Sequence, residues 1–218
     1  MTGDNRKLLA EGARCLGIGL SAVASDRLAI YLAELMKWSR RVNLIARGTP
    51  ERQAIDTHFI DSLTLMPLLT ESGGAVHLLD VGTGAGFPGL VLACTLPEAR
   101  FTLVEPRQKR VSFLRHIIRT LDLDNVEVVA DRIEPHGAAW HGRFTHLTSR
   151  AVAEPATFLP LIRPLVTPAT VVILMLARQE ALAGLEQLPE GTWRLAASRE
   201  FGLPFSGAPR LLAVVHCG

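Results

Sequence analysis

The sequence predicts an α/β fold in which a mostly parallel sheet with one reversed edge strand follows a helical segment. From residue 76 onward, short apolar runs alternate with helical patterns, which is typical of a parallel sheet. The last two apolar runs, near residues 193–198 and 210–216, are separated by a short loop and suit an antiparallel hairpin. We therefore expect an N-terminal helical extension over residues 1–72 and a sheet domain over residues 73–218.

The composition is that of a globular enzyme rather than a disordered chain. Of the 218 residues, 48% are hydrophobic and 20% are charged, and the formal net charge is +2. This length and balance fit one large domain or a core with an appendage. The mildly basic charge neither requires nor excludes a nucleic acid partner. The longest apolar candidate, residues 171–177, has the length of a strand rather than of a membrane span.

The three cysteines, Cys15, Cys94 and Cys217, are an odd number, lie far apart and lack metal-ligand spacing. The chain also shows no N-terminal signal peptide. Together these features predict a cytoplasmic protein. We expect no metal ion and no membrane partner, and we expect a monomer.

The helical extension is predicted from three apolar patterns at helical spacing. The first covers residues 6–16. Ser25 and Asp26 can cap the second helix, which continues to Trp38. The third pattern covers residues 49–69.

The sheet domain is predicted from apolar runs that are short and nearly continuous, as in parallel strands buried on both faces. Each of the first five runs is followed by a turn or a helical pattern, so that successive strands are expected to be parallel. The predicted strands lie at residues 76–81, 100–105, 126–130, 144–148 and 171–176, and the predicted helices at residues 87–96, 108–121, 155–165 and 180–188.

A glycine-rich turn, residues 82–86, follows the first strand and precedes a helix that is predicted to begin at Phe87. Glycine permits positive φ and lets a ligand approach the backbone without a Cβ in the way. Free N–H groups in the first turn of the helix would favour a negatively charged group. We therefore expect a polar ligand at this turn.

Three ligand classes can be compared at this turn. A phosphate-binding Walker A loop needs a closing Gly-Lys-Ser/Thr, which is absent. A dinucleotide motif counted from Gly82 has Phe87 where its third glycine should stand. The pattern Asp-x-Gly-x-Gly-x-Gly of S-adenosylmethionine (SAM) methyltransferases is matched in phase by Asp80, Gly82, Gly84 and Gly86. The turn therefore favours a Rossmann-like SAM-dependent methyltransferase sheet.

Other polar residues are expected at the same edge of the sheet, where the strands of such folds present their carboxyl ends to ligands. Glu105 ends the second strand, 23 residues after Gly82, and can accept hydrogen bonds from ribose hydroxyls of either SAM or a nicotinamide dinucleotide. After the third strand, Asp131 or Glu134 could accept from an adenine amino group while Ile133 packs on the ring.

Cations occur at two places that suit anionic groups. Arg150 follows the fourth strand, where it could pair with a cofactor carboxylate or a substrate phosphate, or act as a structural ion-pair residue. Five basic residues within 16 positions are opposed only by Glu51, and they could contact phosphates or simply form a solvated face. These five are Lys37, Arg40, Arg41, Arg47 and Arg52. His58 and Asp61 are three residues apart and share a helix face, for which a structural histidine is the default interpretation.

Several segments together resemble one known family, the RsmG (GidB) family, over about residues 30–215. The resemblance is carried by Asn43-Leu44, residues 58–63 (HFIDSL), residues 80–89 (DVGTGAGFPG), residues 109–114 (KRVSFL) and residues 149–151 (SRA). It implies a SAM-dependent methyltransferase that acts on N7 of a single guanine in 16S ribosomal RNA of the small ribosomal subunit or its precursor. Carried over by position, the resemblance implies cofactor contacts at Gly82, Phe87, Ile133, Glu134 and Arg150.

These arguments together give two predicted sets of site residues. The cofactor set is Gly82, Thr83, Gly84, Gly86, Phe87, Glu105, Ile133, Glu134 and Arg150. The RNA set is Arg40, Arg41, Asn43, His58, Arg178 and Arg210. No general base is expected, because guanine N7 has an available lone pair and carries no proton, so that in-line positioning can supply much of the acceleration.

The chain departs from the family pattern after the fifth strand, where Ala177-Arg178 replaces the usual Lys-Gly pair. Arg178 could supply the missing cation, or the target could be engaged differently. Three alternatives remain: a SAM-dependent enzyme for another RNA site or a small molecule, an NAD(P)-linked oxidoreductase, and a non-enzymatic RNA-binding module. The small-molecule enzyme leaves the basic segment at residues 37–52 unexplained. The phase of the glycines disfavours the oxidoreductase, and a binding module leaves the glycine turn unexplained.

Overall fold

The computed structural model of the protein describes residues 2–71, 73–134, 137–150, 154–177, 179–186, 189 and 191–218. A single sheet of seven strands lies at its centre. The strands are β1 (His77–Val81), β2 (Arg100–Val104), β3 (Val126–Val129), β4 (His146–Arg150), β5 (Val171–Leu176), β6 (Trp193–Gly202) and β7 (Pro209–Cys217). Their order across the sheet is β3-β2-β1-β4-β5-β7-β6.

The sheet is mostly parallel, which confirms the predicted fold class. The five strands β1 to β5 pair only in parallel with one another. Strand β7 is antiparallel to both β5 and β6. The reversed strand therefore lies one position in from the edge, and its hairpin partner β6 forms the edge itself.

The carboxyl ends of the parallel strands meet at one edge of the sheet. Val81 at the end of β1 is paired with Val104 at the end of β2. Arg150 at the end of β4 is paired with Met175 near the end of β5. This register brings the segments that follow these strands together, as the sequence predicts.

The helices surround this sheet on both faces. Among the described residues, no helix is long and apolar enough to cross a membrane. The α-helices are α1 (Thr2–Cys15), α2 (Ala22–Ser39), α3 (Glu51–Ala54), α4 (Asp61–Leu63), α5 (Met66–Thr70), α6 (Gly89–Thr95), α7 (Gln108–Thr120), α8 (Pro155–Ile162) and α9 (Ala183–Glu186).

Helix α2 begins earlier than the sequence predicts. Its N-cap is Ser21, whose hydroxyl accepts a hydrogen bond from the Ala24 N–H at 3.1 Å. Ser25, the predicted cap, lies inside the first turn and donates its hydroxyl to the Ser21 carbonyl. Both serines can satisfy a helix start, so the pattern alone could not choose between them.

The third predicted helix, residues 49–69, is broken into short pieces. A π-helix over Ile55–Ile60 separates α3 from α4, and a turn separates α4 from α5. Short π segments inside helices are frequent at functional sites because they change the direction of the side chains that follow. The periodicity of apolar residues could not reveal this, since a single π turn inserts only one residue into the helical pattern.

The helical extension and one face of the sheet share a single hydrophobic cluster. Leu32 and Phe59 of the extension pack in the same cluster as Leu78 of β1 and Phe101 of β2. The next residue of β1, Leu79, belongs to the cluster on the opposite face, as expected for alternating side chains of a strand. The division at residue 72 remains a proposal, and this shared core means that neither part is packed independently of the other.

Asp56, in the π-helix, ties the extension to the hairpin loop between β6 and β7. Its buried carboxylate accepts hydrogen bonds from the N–H groups of Phe205 at 3.2 Å and of Ser206 at 3.0 Å. The Arg52 guanidinium lies 5.0 Å from the centre of the Phe205 ring. Charge-assisted bonds of this kind fix the loop against the helix.

Substitution Asp56→Ala is expected to destabilise the protein by about 1–3 kcal/mol, because two loop N–H groups lose a charged acceptor. Urea unfolding followed by circular dichroism measures this change. The control is Asp26→Ala, since Asp26 is 54% exposed and pairs with Arg6 at the surface, where such a pair contributes less than about 1 kcal/mol. Equal losses in the two variants would show that the loop contact does not stabilise the fold.

Candidate functional site

A cavity of about 870 Å³ lies at the carboxyl ends of the parallel strands. Its walls come from the turn after β1, the end of β2, residues 131–134, Arg150 and the Leu44-Ile45 turn that follows α2. All the residues predicted to bind the cofactor line this cavity except Gly86. The volume is within the range of cavities that hold cofactors and other small molecules.

The three glycines of the turn have backbone conformations that residues with a Cβ rarely adopt. Their φ angles are 68° at Gly82, 64° at Gly84 and 100° at Gly86. At Gly86, an added Cβ would lie 2.5 Å from the Tyr31 hydroxyl oxygen and 2.8 Å from Leu90 Cβ. Gly86 is therefore required by the packing behind the cavity, whereas Gly82 and Gly84 face the cavity.

The Asp80 carboxylate joins the two ends of the glycine turn. One of its carboxylate oxygens, Oδ2, accepts a hydrogen bond from the Thr83 hydroxyl at 2.6 Å and from the Gly89 N–H at 2.8 Å. Asp80 is fully buried, and this burial raises the pKa of its carboxyl to about 6 despite both hydrogen bonds. The Thr83 hydroxyl thus stabilises the turn and is already engaged.

The predicted free N–H groups at the start of the helix are not available. Helix α6 begins at Gly89, not at Phe87. The Phe87 N–H donates to the Thr83 carbonyl at 3.0 Å, and the Gly89 N–H donates to Asp80. The prediction was wrong at these two positions because two groups within the motif itself, the Thr83 carbonyl and the buried Asp80 carboxylate, already accept these hydrogen bonds.

Glu105 is buried, and its carboxylate bonds to the glycine turn. Its Oε2 accepts from the Gly84 N–H at 3.1 Å and lies 3.5 Å from Arg110 Nη1, and its Oε1 accepts from the Arg107 N–H at 2.9 Å. A carboxylate can accept roughly four hydrogen bonds. Three of these are in use, so Glu105 has capacity for one more donor, and for a second if Arg110 moves away.

Phe87 forms an aromatic wall with two rings from the helical extension. The Tyr31 ring is stacked 5.6 Å from the Phe87 ring, and the His58 ring is stacked 5.0 Å from it. The Tyr31 hydroxyl donates to the Ala85 carbonyl in the glycine turn. The Arg150 guanidinium carbon lies 5.1 Å from the Phe87 ring centre, a cation–π arrangement. Tyr31 lies within the second predicted helix, and nothing in its local pattern reveals this contact.

Arg150 is bound by groups of the helical extension on several sides. Its Nη1 donates to the Thr57 carbonyl at 3.1 Å and lies 3.5 Å from Asp61 Oδ2. Its Nη2 lies 3.1 Å from His58 Nδ1, which must be the acceptor because a guanidinium has only donors. Arg210 Nε lies 3.2 Å from the same Asp61 oxygen. His58 and Asp61 therefore do share a face, and that face is directed at two arginines.

The surroundings of His58, Asp61 and Arg150 shift the pKa of each of these side chains. Burial, and then the charges of Arg150 and Arg210, lower the pKa of His58 to about 3. Burial raises the pKa of Asp61, although the same two arginines oppose this shift. Burial also lowers the pKa of Arg150, which the nearby carboxylates Asp61 and Asp80 oppose. His58 is therefore neutral at pH 7.

A second cavity, of about 350 Å³, adjoins the first and shares His58 and Arg150 with it. Its other walls are Thr57, Asp61 and Arg210, together with Met175, Leu176 and Ala177 at the end of β5. The sequence did not reveal this cavity, because the residues around it come from three distant parts of the chain. Among the described residues, no group of histidine, cysteine, aspartate or glutamate side chains could hold a metal ion.

The residues predicted to bind RNA fall into separate groups. Arg40, Arg41 and Asn43 are exposed in the turn after α2. The next two residues, Leu44 and Ile45, are buried and line the cofactor cavity. This turn, residues 40–43, therefore carries exposed cations a few residues from the cavity wall, and we call it the α2 rim.

Two other residues of the predicted RNA set lie elsewhere, in the lining of the second cavity. His58 and Arg210 line the second cavity and are partly buried. Arg178 lies outside the described residues, as does Ala151 next to Arg150.

A family profile and full-length comparisons with known proteins point to the same family. The profile of a family described as "GidB: rRNA small subunit methyltransferase G" matches residues 24–193. A protein named ribosomal RNA small subunit methyltransferase G from Desulfotalea psychrophila is 42% identical and covers 99% of this chain and 100% of its own length. A protein of the same name from Geotalea uraniireducens is 37% identical, covering 97% of this chain and 96% of its own length. The crystal structure of TrmN from Thermus thermophilus aligns with a TM-score of 0.57 at 18% identity, over 75% of this chain and 53% of that one, which shows the fold alone.

Acidification is expected to destabilise the protein through His58. The unfolded chain binds a proton on this imidazole near pH 6.5, whereas the folded protein binds it only near pH 3. Between these values the unfolded state holds more protons, so lowering the pH favours unfolding by up to about 1.4 kcal/mol per pH unit. Urea unfolding at several pH values from 7 to 4 should show a shallower decline for His58→Gln, which keeps an acceptor for Arg150 but does not titrate. The control His141→Gln, at an exposed position, should follow the unmodified protein. Identical pH profiles for His58→Gln and the unmodified protein would refute a neutral buried His58.

Proposed function

Because the chain belongs to the rRNA small subunit methyltransferase G family, we propose that it transfers the methyl group of SAM to N7 of a single guanine in 16S ribosomal RNA. The substrate is the small ribosomal subunit or its precursor, and the reaction takes place in the cytoplasm. The observation that supports this proposal best is the pair of adjoining cavities at the carboxyl ends of the strands. One carries the predicted cofactor residues, and the other is open to a second reactant.

The residues of the larger cavity fit SAM better than a dinucleotide. The turn directs no free N–H at Phe87 or Gly89 toward a pyrophosphate, since both are bonded within the turn. Glu105 retains capacity for a ribose hydroxyl. The buried Ile133 offers an apolar surface for adenine, and the exposed Glu134 an acceptor for its amino group. These are the features that a sulfonium nucleoside without phosphates requires.

Arg150 is the residue that would bind the carboxylate of the amino acid part of SAM. A guanidinium can form paired hydrogen bonds with a carboxylate, and Arg150 lines the cavity beside Phe87. Its contacts with Thr57 and His58 restrict its orientation. Through these contacts the helical extension would position a group that binds the cofactor.

The reaction needs positioning more than proton transfer. When bound, SAM supplies a methyl group on a sulfonium sulfur, which the lone pair of guanine N7 can take by in-line displacement. No residue has to remove a proton, which agrees with a neutral His58 that is already bonded to Arg150. The chain contributes by holding the two reactants in adjoining cavities, an arrangement that can supply much of the acceleration.

The exposed cations around the larger cavity provide a surface for RNA phosphates. Arg40 and Arg41 lie in the turn that leads to Leu44 and Ile45 of the cavity wall, and Arg107 and Lys109 are exposed at the start of α7, where Arg107 itself lines the cavity. Within the described part of the chain none of these four side chains forms an ion pair. Unpaired cations beside a cavity favour an extended polyanion over a small neutral substrate.

Methyl transfer from labelled SAM to small ribosomal subunits that lack the modification tests the proposal directly. Treatment with borohydride and aniline then cleaves the RNA at N7-methylguanine, and one new cleavage site is expected. Label in the RNA without cleavage would place the methyl on another atom. No label in the subunits or in protein-free 16S RNA, together with measurable SAM binding, would show that ribosomal RNA is not the substrate.

The double substitution Arg40→Gln/Arg41→Gln is expected to weaken binding to the small subunit and to reduce its dependence on salt. Each phosphate contact that is lost lowers the slope of log K against log [salt] by about 1. The affinity for SAM should stay unchanged. Filter binding at several salt concentrations measures the slope. The matched control is Arg163→Gln/Arg194→Gln, which removes two exposed cations elsewhere and should leave the slope as it is. Equal slopes for both double variants would exclude contact between the α2 rim and RNA.

A further inference from the structure

We propose that the second cavity holds the target guanine base and that Arg210 selects guanine over adenine by donating a hydrogen bond to O6. This inference rests on the proposed function. It assigns a place to the methyl acceptor and a role to a residue of β7 in specificity.

The position of the second cavity fits a methyl acceptor. In-line transfer requires the accepting atom to lie beside the methyl group of the cofactor. The second cavity shares His58 and Arg150 with the cofactor cavity, so a base placed there would lie next to the cofactor. Its volume of about 350 Å³ is sufficient for a small planar ligand.

The chemistry of the walls fits a nucleobase. Met175, Leu176 and Ala177, at the end of β5, give an apolar side on which the face of a base can pack. Polar side chains complete the lining and can meet the edge of a base, and Arg210 is one of them. A base that has been taken out of its RNA stack needs both kinds of surface.

Arg210 is held in place while one of its nitrogens remains available. Its Nε lies 3.2 Å from Asp61 Oδ2, and its Nη1 donates to the Pro209 carbonyl at 2.8 Å. Its Nη2 bonds to no atom of the described residues. The side chain is 22% exposed. A donor fixed in this way on the wall of a cavity is suited to recognition of an acceptor.

The edge that carries N7 differs between the two purines in the group beside N7. Guanine has the O6 acceptor there, whereas adenine has the N6 amino donor. Because a guanidinium has donors only, Arg210 would attract guanine and would leave two donors facing each other with adenine. A bond to O6 alone leaves the N7 lone pair free for the methyl group.

Asp61 positions Arg210 through an ion pair with its guanidinium. Its Oδ2 is the common partner of Arg150 and Arg210, at 3.5 Å and 3.2 Å. The carboxylate is 5% exposed, so its attraction for the two guanidiniums is little weakened by solvent. Without this carboxylate, two like charges would face each other at the cavity wall.

The first test uses the unmodified protein and changes the base. Small subunits are reconstituted with 16S RNA in which the target guanosine is replaced by inosine, which keeps O6 and N7, or by 2-aminopurine, which lacks O6. We expect kcat/KM with inosine to stay within a few-fold of guanine, and kcat/KM with 2-aminopurine to fall by about 10- to 100-fold, as for one lost charge-assisted hydrogen bond.

The second test uses Arg210→Met, with Arg199→Met on the same hairpin as the matched control, since Arg199 is exposed. The guanine to 2-aminopurine ratio of kcat/KM should fall by about 10-fold or more in Arg210→Met relative to the unmodified protein, while the affinity for SAM is retained. Because the same two bases are compared in both proteins, this change in the ratio does not depend on intrinsic differences in N7 reactivity. Arg199→Met should keep the full ratio, Arg210→Lys should restore part of it, and Asp61→Asn should lower it.

The outcomes separate this inference from the proposed function. Failure of the unmodified protein to methylate guanine in the subunit would contradict the proposed function itself. Methylation of guanine and 2-aminopurine at equal rates by the unmodified protein would overturn the role of Arg210. A full base preference in Arg210→Met would overturn it as well.

Discussion

The site depends on one partly buried cation, Arg150, and on the acceptors that this cation needs. Arg150 stands at the end of β4, yet the partners that its Nη atoms contact, Thr57, His58 and Asp61, belong to the helical extension. A buried guanidinium without such partners would be strongly destabilising. The extension therefore does more than cover one face of the sheet, because it completes the wall between the two cavities. Without the helical extension, Arg150 would lose its contacts with all three of these residues.

The glycine turn, by contrast, is stable without a ligand. Asp80 and Glu105 satisfy the backbone N–H groups of Gly89 and Gly84 from within the protein. The turn is therefore already formed when the cofactor arrives, which reduces the entropy that must be lost on binding. Burial raises the pKa of Asp80 to about 6, while the hydrogen bonds from Thr83 and Gly89 oppose this shift and favour the ionised carboxylate.

The features that could be predicted from the sequence are those written in local patterns. The alternation of strands and helices predicted the sheet, and the phase of Gly82, Gly84 and Gly86 pointed to the cofactor class. Contacts between distant segments could not be predicted in this way. The stacking of Tyr31 on Phe87 joins residues far apart in the chain, and the π-helix has no periodicity of its own. All the predicted cofactor residues except Gly86 line one cavity, whereas the described residues of the predicted RNA set are divided between an exposed turn and a cavity wall, because charge patterns carry no information about depth.

The link between Asp56 and the hairpin loop has a consequence for protein engineering. Exposed loops between antiparallel strands are usually good places for tags and inserted domains. In this protein, the loop at residues 203–208 is tied to the π-helix, and the strand that leaves it carries Arg210 to the second cavity. A shift of one residue in β7 would turn its side chains to the opposite face of the sheet. An insertion in this loop would therefore disturb both the stability of the fold and the position of Arg210, so fusion partners belong at surface loops away from the two cavities.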